Sequence, residues 1–120
     1  MKIVVTSQGP DLNSPVDPRF GRARYFLVVD TDSGRFTPHD NAQNLNAPQG
    51  AGIQAGRAVV ELGVEAVITG NVGPKAFAAL EAGGVAVYPG ASGTVSEAVE
   101  QFKAGQLQPA GKANVEGHWM

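Results

Sequence analysis

Two kinds of apolar segment alternate along the chain, and their order is the feature that most constrains the fold. Short runs rich in β-branched residues predict strands at 3–5, 25–29, 64–69 and 85–88. A further strand is predicted over Arg35–Thr37, and the turn residues 30–34 connect it to the second strand as a hairpin. Because Pro38 cannot donate a ladder hydrogen bond, we expect this third strand to lie at a sheet edge.

Three longer segments have the signals of helices. Residues 50–62 carry apolar side chains at helical spacing, and Gly63 follows as a stop. Pro74–Ala82 starts with proline and is followed by two glycines. Thr94 and Glu97 form a capping-box pattern before the apolar positions of a helix that Gly105 ends.

The predicted order is therefore β-β-β-α-β-α-β-α. Right-handed crossovers and an edge position for strand three favour the spatial order 3-2-1-4-5, with strand two antiparallel to the others. This is an α/β fold of the ribonuclease H-like type: a mixed five-stranded sheet flanked by three helices. We expect a single domain over residues 1–105, followed by a C-terminal tail over 106–120 that has no clear period.

Composition excludes several classes of function. Nine basic and eleven acidic residues give a net charge of -2, which argues against a nucleic-acid binder. The chain has no cysteine, so disulfides, thiolate metal ligands and cysteine nucleophiles are excluded. No stretch approaches the roughly 18 apolar residues of a membrane span. A cytoplasmic protein without membrane contact is the expectation.

The predicted topology brings four loops to one edge of the sheet, the end where strand one finishes, which we call the upper edge. They are the loops 7–24, 39–52, 70–74 and 89–93. All three helices start at the upper edge, where helix dipoles and unbonded amides attract anions. The strand order also reverses between strands one and four, where open α/β sheets tend to bind ligands. The sequence therefore predicts an anion site on an acidic protein.

Three motifs in these loops supply the candidate binding residues. They are DPRFGRA (17–23), QGAG (49–52) and TGNVGPK (69–75), and the candidates are Arg19, Phe20, Gly21, Arg22, Gly50, Gly52, Gly70, Asn71, Gly73 and Lys75. Each motif also has a simpler interpretation. The first could be a turn with solvated arginines, the second an ordinary helix start, and the third a strand-to-helix turn. The third motif lacks the spacing of a nucleotide-binding P-loop.

Metal-ligating and catalytic side chains are few. His39 and His118 are the candidate metal ligands, although a lone histidine is more often a surface or packed residue. The first strand carries no carboxylate, so the two-metal chemistry of ribonuclease H-type nucleases is not expected. A Gly-x-Ser-x-Gly nucleophile elbow is also absent. We expect no enzyme.

The ordered set of motifs resembles the dinitrogenase iron–molybdenum cofactor biosynthesis family, in particular its small stand-alone members. The similarity is carried by DPRFGRA (17–23), GAG (50–52), ITGNVGPKA (68–76), Thr94-Val95 and FKAGQL (102–107). It implies a ribonuclease H-like fold and a role in carrying or inserting the iron–molybdenum cofactor or its precursors. One small member binds a mixed molybdenum–copper sulfide cluster without covalent attachment. Some members have a histidine before the Phe-Gly of the first motif, and here Arg19 stands in that position.

Two hypotheses follow. The first is a non-enzymatic carrier or scaffold for an anionic metal–sulfur cluster, iron–molybdenum or related, held non-covalently, with cofactor-assembly or ATPase proteins as partners. Such a cluster brings its own sulfides, which suits a chain without cysteine. The second is a regulatory or interaction domain that binds a small phosphorylated ligand or a protein partner, because helix N-termini do not discriminate between phosphate and a sulfide cluster.

Overall fold

The strand order of the computed structural model, which describes residues 1–42 and 50–111, is the predicted one. The sheet has the order β3-β2-β1-β4-β5. β2 is antiparallel to β1 and β3, whereas β4 is parallel to β1 and β5 is parallel to β4. The strands are β1 (Lys2–Ser7), β2 (Tyr25–Asp30), β3 (Phe36–Asp40), β4 (Ala66–Ile68) and β5 (Ala86–Tyr88).

Three helices of the described residues follow in sequence as α1 (Ala51–Glu61), α2 (Pro74–Ala82) and α3 (Val95–Lys103). The capping box of α3 is present, since the Glu97 amide donates to Thr94 Oγ1 (3.1 Å) and the Thr94 amide donates to Glu97 Oε1 (3.0 Å). After α3, Gly105 takes a positive φ of 74°, as the predicted stop requires. None of the helices in the two described ranges is long and apolar enough to cross a membrane.

The sheet is covered on both faces, which explains the uninterrupted apolar run of β1. Val4 packs in the core beneath α1 and α2, whereas Ile3 and Val5 pack in the core beneath α3, and all three are fully buried. β4 is shorter than the predicted 64–69 and begins at Ala66. The preceding Glu65 amide still donates to the Lys2 carbonyl (2.9 Å), so the chain is bonded to β1 before the strand starts.

The described part of the predicted tail packs against the domain. The Ala110 amide donates to the Val87 carbonyl of β5 (2.8 Å), and Leu107 contacts the core beneath α3. Residues 112–120, including His118, lie outside the described residues. A domain boundary at residue 105 stays a prediction.

Candidate functional site

The ends of the strands bring the three motifs to the upper edge. β1, β3, β4 and β5 finish there and β2 begins there, so the first motif, the start of α1 and the β4–α2 turn all lie at this edge. A ligand bound at the upper edge would therefore be within reach of all three motifs.

Buried hydroxyl groups fix the first motif to the two central strands. The Asp17 amide donates to the Thr6 carbonyl (2.9 Å), and the Thr6 hydroxyl donates to the Asp17 carbonyl (2.8 Å). The Thr69 hydroxyl of the adjacent strand end lies 2.9 Å from the Thr6 hydroxyl, and both side chains are fully buried. This polar contact holds the loop at the point between β1 and β4 where the strand order reverses.

The first motif also runs alongside the β4–α2 turn. The Asn71 amide and side-chain Nδ2 both donate to the Pro18 carbonyl, at 2.8 and 3.1 Å, and the Phe20 amide donates to the Asn71 carbonyl (3.2 Å). Gly70 is packed so closely that a Cβ atom there would lie 2.7 Å from Pro18 Cα. Asn71 therefore joins the first and third motifs directly.

Contact with the second motif is equally close. A Cβ atom on Gly21 would lie 2.9 Å from the backbone of Gly52 in the first turn of α1. Asn41, which is almost fully buried after β3, donates from Nδ2 to the carbonyls of Gly21 (3.2 Å) and Ala23 (2.8 Å). All three motifs thus meet in one place.

These contacts change the role of the candidate glycines Gly21 and Gly70. Both are among the predicted binding residues, but at these two positions glycine lets two backbone segments approach each other. Gly50 and Gly73 instead stand at the N-caps of α1 and α2, and Gly50 has a positive φ of 79°.

Phe20 lies in the core and not at the surface of the upper edge. Its side chain is fully buried and stacks on Phe26 with ring centroids 5.5 Å apart. It therefore supports the first motif from beneath, where a ligand at the surface would not touch it.

Arg19 is the exposed cation of the first motif, and it is held by a buried carboxylate. The Arg19 amide donates to Asp17 Oδ1 (3.0 Å), and Arg19 Nε lies 3.7 Å from the same oxygen. Asp17 is only 4% exposed, so its charge offsets part of the positive charge of Arg19. Lys75, in the first turn of α2, is a second exposed cation at this edge, and Arg22 is half-buried.

The neighbouring Arg24 is engaged within the protein. Its guanidinium bonds to Asp40 Oδ1 (2.6 Å) and lies over the Tyr25 ring, 4.5 Å from the centroid. The Ala42 amide and the Arg24 guanidinium donate to Asp40 and lower the pKa of its carboxyl group.

The three helix N-termini at the upper edge are not equivalent. The first-turn amides of α3 are bonded: Val95 donates to the Ser14 carbonyl (2.9 Å), Ser96 to the Leu12 carbonyl (2.9 Å), and Glu97 to Thr94 Oγ1. The expectation that all three helices contribute to an anion site is therefore wrong for α3, because the first loop and the capping box occupy its amides.

The starts of α1 and α2 differ from that of α3 in the described part of the chain. Within 1–42 and 50–111, no acceptor bonds to the amides of Gly52 and Ile53 in α1 or of Lys75 and Ala76 in α2. Neither helix has an acidic residue in its first turn. Unbonded amides at a helix N-terminus carry partial positive charge and favour an anion.

His39 lies away from this arrangement. It is exposed on the edge strand β3, three strand spacings or about 14 Å from β4 in the sheet. The described residues contain no group of three or more His, Asp or Glu side chains that could hold a metal ion. Metal ligation by His39 stays a prediction, while Gln49 and His118 fall outside the described residues.

Sequence reasoning did not assign roles to Asp17, Asn41, Thr6 or Thr69. A signal existed for the threonines, because each follows a buried β-branched run at the end of a parallel strand, Ile3–Val5 for Thr6 and Ala66–Ile68 for Thr69. Asn41 gave no signal, since its function depends on a contact with Gly21, distant in sequence.

Comparison with known proteins gives both a family and close structural relatives. The model of the family described as dinitrogenase iron–molybdenum cofactor matches residues 1–105. The apo form of the orange protein from Desulfovibrio gigas has 42% sequence identity and a TM-score of 0.92, over 95% of this chain and 96% of that chain. A Thermotoga protein provisionally assigned as NifB has 39% identity and a TM-score of 0.82, over 97% and 98%.

A more distant relative is an uncharacterized protein of Methanocaldococcus jannaschii. It is 29% identical over 98 residues, which are 80% of this chain and 83% of the relative. All three motifs of the upper edge lie within the residues that the family model matches. The chain belongs to the dinitrogenase iron–molybdenum cofactor family.

Proposed function

We propose that this protein binds and carries an anionic metal–sulfur cluster, iron–molybdenum or a related one, as a non-enzymatic component of cofactor biosynthesis. The observation that carries the proposal is the meeting of three family motifs at an edge where the first-turn amides of two helices have no acceptor among the described residues. Family membership and the relatives fit a role in cofactor biosynthesis or carrying.

The chemistry of the edge fits a cluster that supplies its own sulfide ligands. The chain has no cysteine, and no set of metal-ligating side chains occurs in its described part. What the edge offers is amides, the exposed cations Arg19 and Lys75, and a rigid loop fixed by Asn71. Such groups would bind the anionic outer surface of the cluster by charge and hydrogen bonding, without direct coordination of its metal ions.

The test is retention of a thiometalate by the apo protein. Tetrathiomolybdate is added anaerobically with copper, with iron or alone, and the protein is desalted. We expect a stoichiometric chromophore and metal content that survive desalting. Absence of retained metal under every condition would overturn the proposal.

The assigned residues are tested by a matched pair of double variants. Arg19→Ala with Lys75→Ala removes both exposed cations of the upper edge, and we expect at least about tenfold weaker retention, since each interaction with an ion contributes roughly 1 kcal/mol or more. Lys2→Ala with Arg35→Ala removes the same charge at the opposite end of the sheet and is expected to retain the cluster. Equal retention by the two variants would remove the assigned site.

A second candidate function rests on the same unbonded amides. A regulatory or interaction domain would use them for a small phosphorylated ligand, because a helix N-terminus accepts phosphate equally well. A thermal-shift panel of nucleotides and sugar phosphates separates the two functions. A strong shift with one of these and none with thiometalate would favour the second function.

Further properties follow from the first function as expectations. Cofactor-assembly or ATPase proteins would deliver or receive the cluster, the protein would act in the cytoplasm, and its sheet would group with ribonuclease H-like folds. No catalytic turnover is expected; sustained turnover lost on one carboxylate substitution would contradict this.

A further inference from the structure

An open groove runs between α1 and α2, on the side of these helices that faces away from the sheet. Its volume is about 670 Å³. One stripe of side chains from each helix forms its walls: Ile53, Arg57, Val60 and Glu61 from α1, and Lys75, Ala78, Ala79, Ala82 and Gly83 from α2. We call this the α1–α2 groove.

The groove lining is distinct from the core-facing stripes of the same helices. Ala55 and Val59 of α1 and Ala76 and Leu80 of α2 are buried against the sheet, whereas the groove residues are exposed or half-buried. Each helix therefore has an apolar stripe toward the core and a second, partly apolar stripe toward solvent. Within the second stripe, Val60 packs against the margin of the core, whereas Arg57 and Lys75 are exposed to solvent.

The charges along the α1–α2 groove change sign from one end to the other. Both helices run downward from the upper edge, so Lys75 and Arg57 line the upper and middle parts and Glu61 lines the lower end. In the part of the chain that the structure describes, neither Lys75 nor Arg57 has an ion-pair partner. An occupant with acidic groups above and a basic group below would complement this pattern.

We propose that the α1–α2 groove docks an amphipathic helix of a partner protein, with its acidic end beside Lys75. Two adjacent helices form a groove into which the ridge of a third helix packs. From Ile53 to Glu61 the groove wall spans about 12 Å at 1.5 Å per residue, which matches roughly two turns of a docked helix.

This inference rests on the proposed function, since it identifies the surface at which the cluster is exchanged. Lys75 lies both at the upper edge and in the groove, so a helix docked there would bring its protein beside the cargo. The partner is thus a protein that donates the cluster or accepts it, recognised by an acidic apolar helix.

The experiment uses the whole protein and two synthetic helical peptides that share their length and their apolar residues and differ only in their charged residues. Both peptides carry one stripe of leucine and alanine, and the termini of both are blocked. The first peptide has glutamates in one half and lysines in the other. In the second peptide every glutamate is replaced by lysine and every lysine by glutamate. A peptide that bound in the reversed direction would present its charges in the opposite order. The two halves therefore carry unequal numbers of charges, which gives the first peptide an acidic excess and the second a basic excess. Binding is followed by fluorescence anisotropy and by amide chemical shifts.

We expect the acidic peptide to bind with shifts at the groove residues, and Arg57→Glu to weaken it at least about tenfold. Arg35→Glu, a matched reversal in the distant β2–β3 turn, should leave binding unchanged. Equal affinity for both peptides, no binding of either, or shifts outside the groove would overturn the proposal. An Arg57-dependent self-association would also overturn it, by assigning the groove to a second copy.

Failure of this inference is distinguishable from failure of the proposed function. Arg57 is not among the residues assigned to the cluster, so Arg57→Glu should still retain thiometalate while losing the peptide. Retention without peptide binding would leave the cluster proposal standing alone. Peptide binding without retention would leave a docking surface on a protein that carries no cluster.

Discussion

Single residues at the upper edge serve contacts within the protein before they serve a ligand. Gly21 and Gly70 lie where a side chain would meet the backbone of Gly52 and Pro18. Phe20 fills the core under the first motif, and Asp17 positions Arg19 through its buried carboxylate. Several side chains of the family motif therefore build the loop, and a smaller number is left to face the solvent.

Gly70→Ala is expected to lower the free energy of unfolding by roughly 1–3 kcal/mol, because its Cβ would overlap the Pro18 backbone, which cannot move without breaking the bonds to Asn71. Urea denaturation measures the change. Gly111→Ala is the control, since no atom of the residues that the structure describes lies within 4 Å of its Cβ position. A loss equal to that of the control would contradict the close contact.

Phe20→Ala is expected to cost roughly 3–5 kcal/mol, the usual range for removing a fully buried aromatic side chain. Phe36→Ala provides the comparison, because Phe36 is 37% exposed on the edge strand, and we expect a clearly smaller loss. Thermal and urea denaturation of both variants measures the difference. Similar stability losses for the two would argue against a core position for Phe20.

Among the secondary-structure elements, the three helices differ in whether their first-turn backbone amides have hydrogen-bond acceptors in the described part of the chain. The capping box and the carbonyls of Leu12 and Ser14 occupy the amides of α3, while the described residues provide no acceptor for those of Gly52, Ile53, Lys75 and Ala76. The capping box itself was readable from the spacing of Thr94 and Glu97. The loop carbonyls were not, because they come from a segment about 80 residues away in sequence.

The capping box makes the stability of α3 dependent on pH. The Thr94 amide and hydroxyl donate to the Glu97 carboxylate and lower its pKa below the ordinary glutamate value. A carboxyl group whose pKa is lower in the folded state stabilises the fold above its unfolded pKa, about 4.3, and loses this contribution as the pH falls through the folded pKa.

The expected outcome is a stability difference between the wild type and Glu97→Gln that is largest at neutral pH and shrinks below about pH 4. Urea denaturation at a series of pH values measures it. A difference that stays constant across this range, or grows on acidification, would show that Glu97 does not act as a charged cap.

At the scale of the whole molecule, the sequence was sufficient for the topology. Strand and helix periods, the edge position forced by Pro38 and the handedness of crossovers together predicted the observed order β3-β2-β1-β4-β5 and the upper edge. These signals are local, or follow from general rules of chain connection, so one sequence is enough to find them.

The site was predictable to the level of its segments but not of its side-chain roles. The motifs at 17–23, 50–52 and 69–75 do meet, yet the burial of Phe20 and the contact of Asn41 with Gly21 depend on tertiary packing. The same holds for the α1–α2 groove, whose two stripes become adjacent only when α1 and α2 pack together. The periodicity of one helix indicates which of its faces is apolar, but not which other helix will pack beside it.

An amide chemical-shift map of the protein with tetrathiomolybdate and copper, recorded under anaerobic conditions, tests directly whether the starts of α1 and α2 form an anion site. We expect the largest shifts at the amides of Gly52, Ile53, Lys75 and Ala76, with little change at Val95 and Ser96, which are already bonded. Shifts concentrated at the start of α3, with none at α1 and α2, would contradict it.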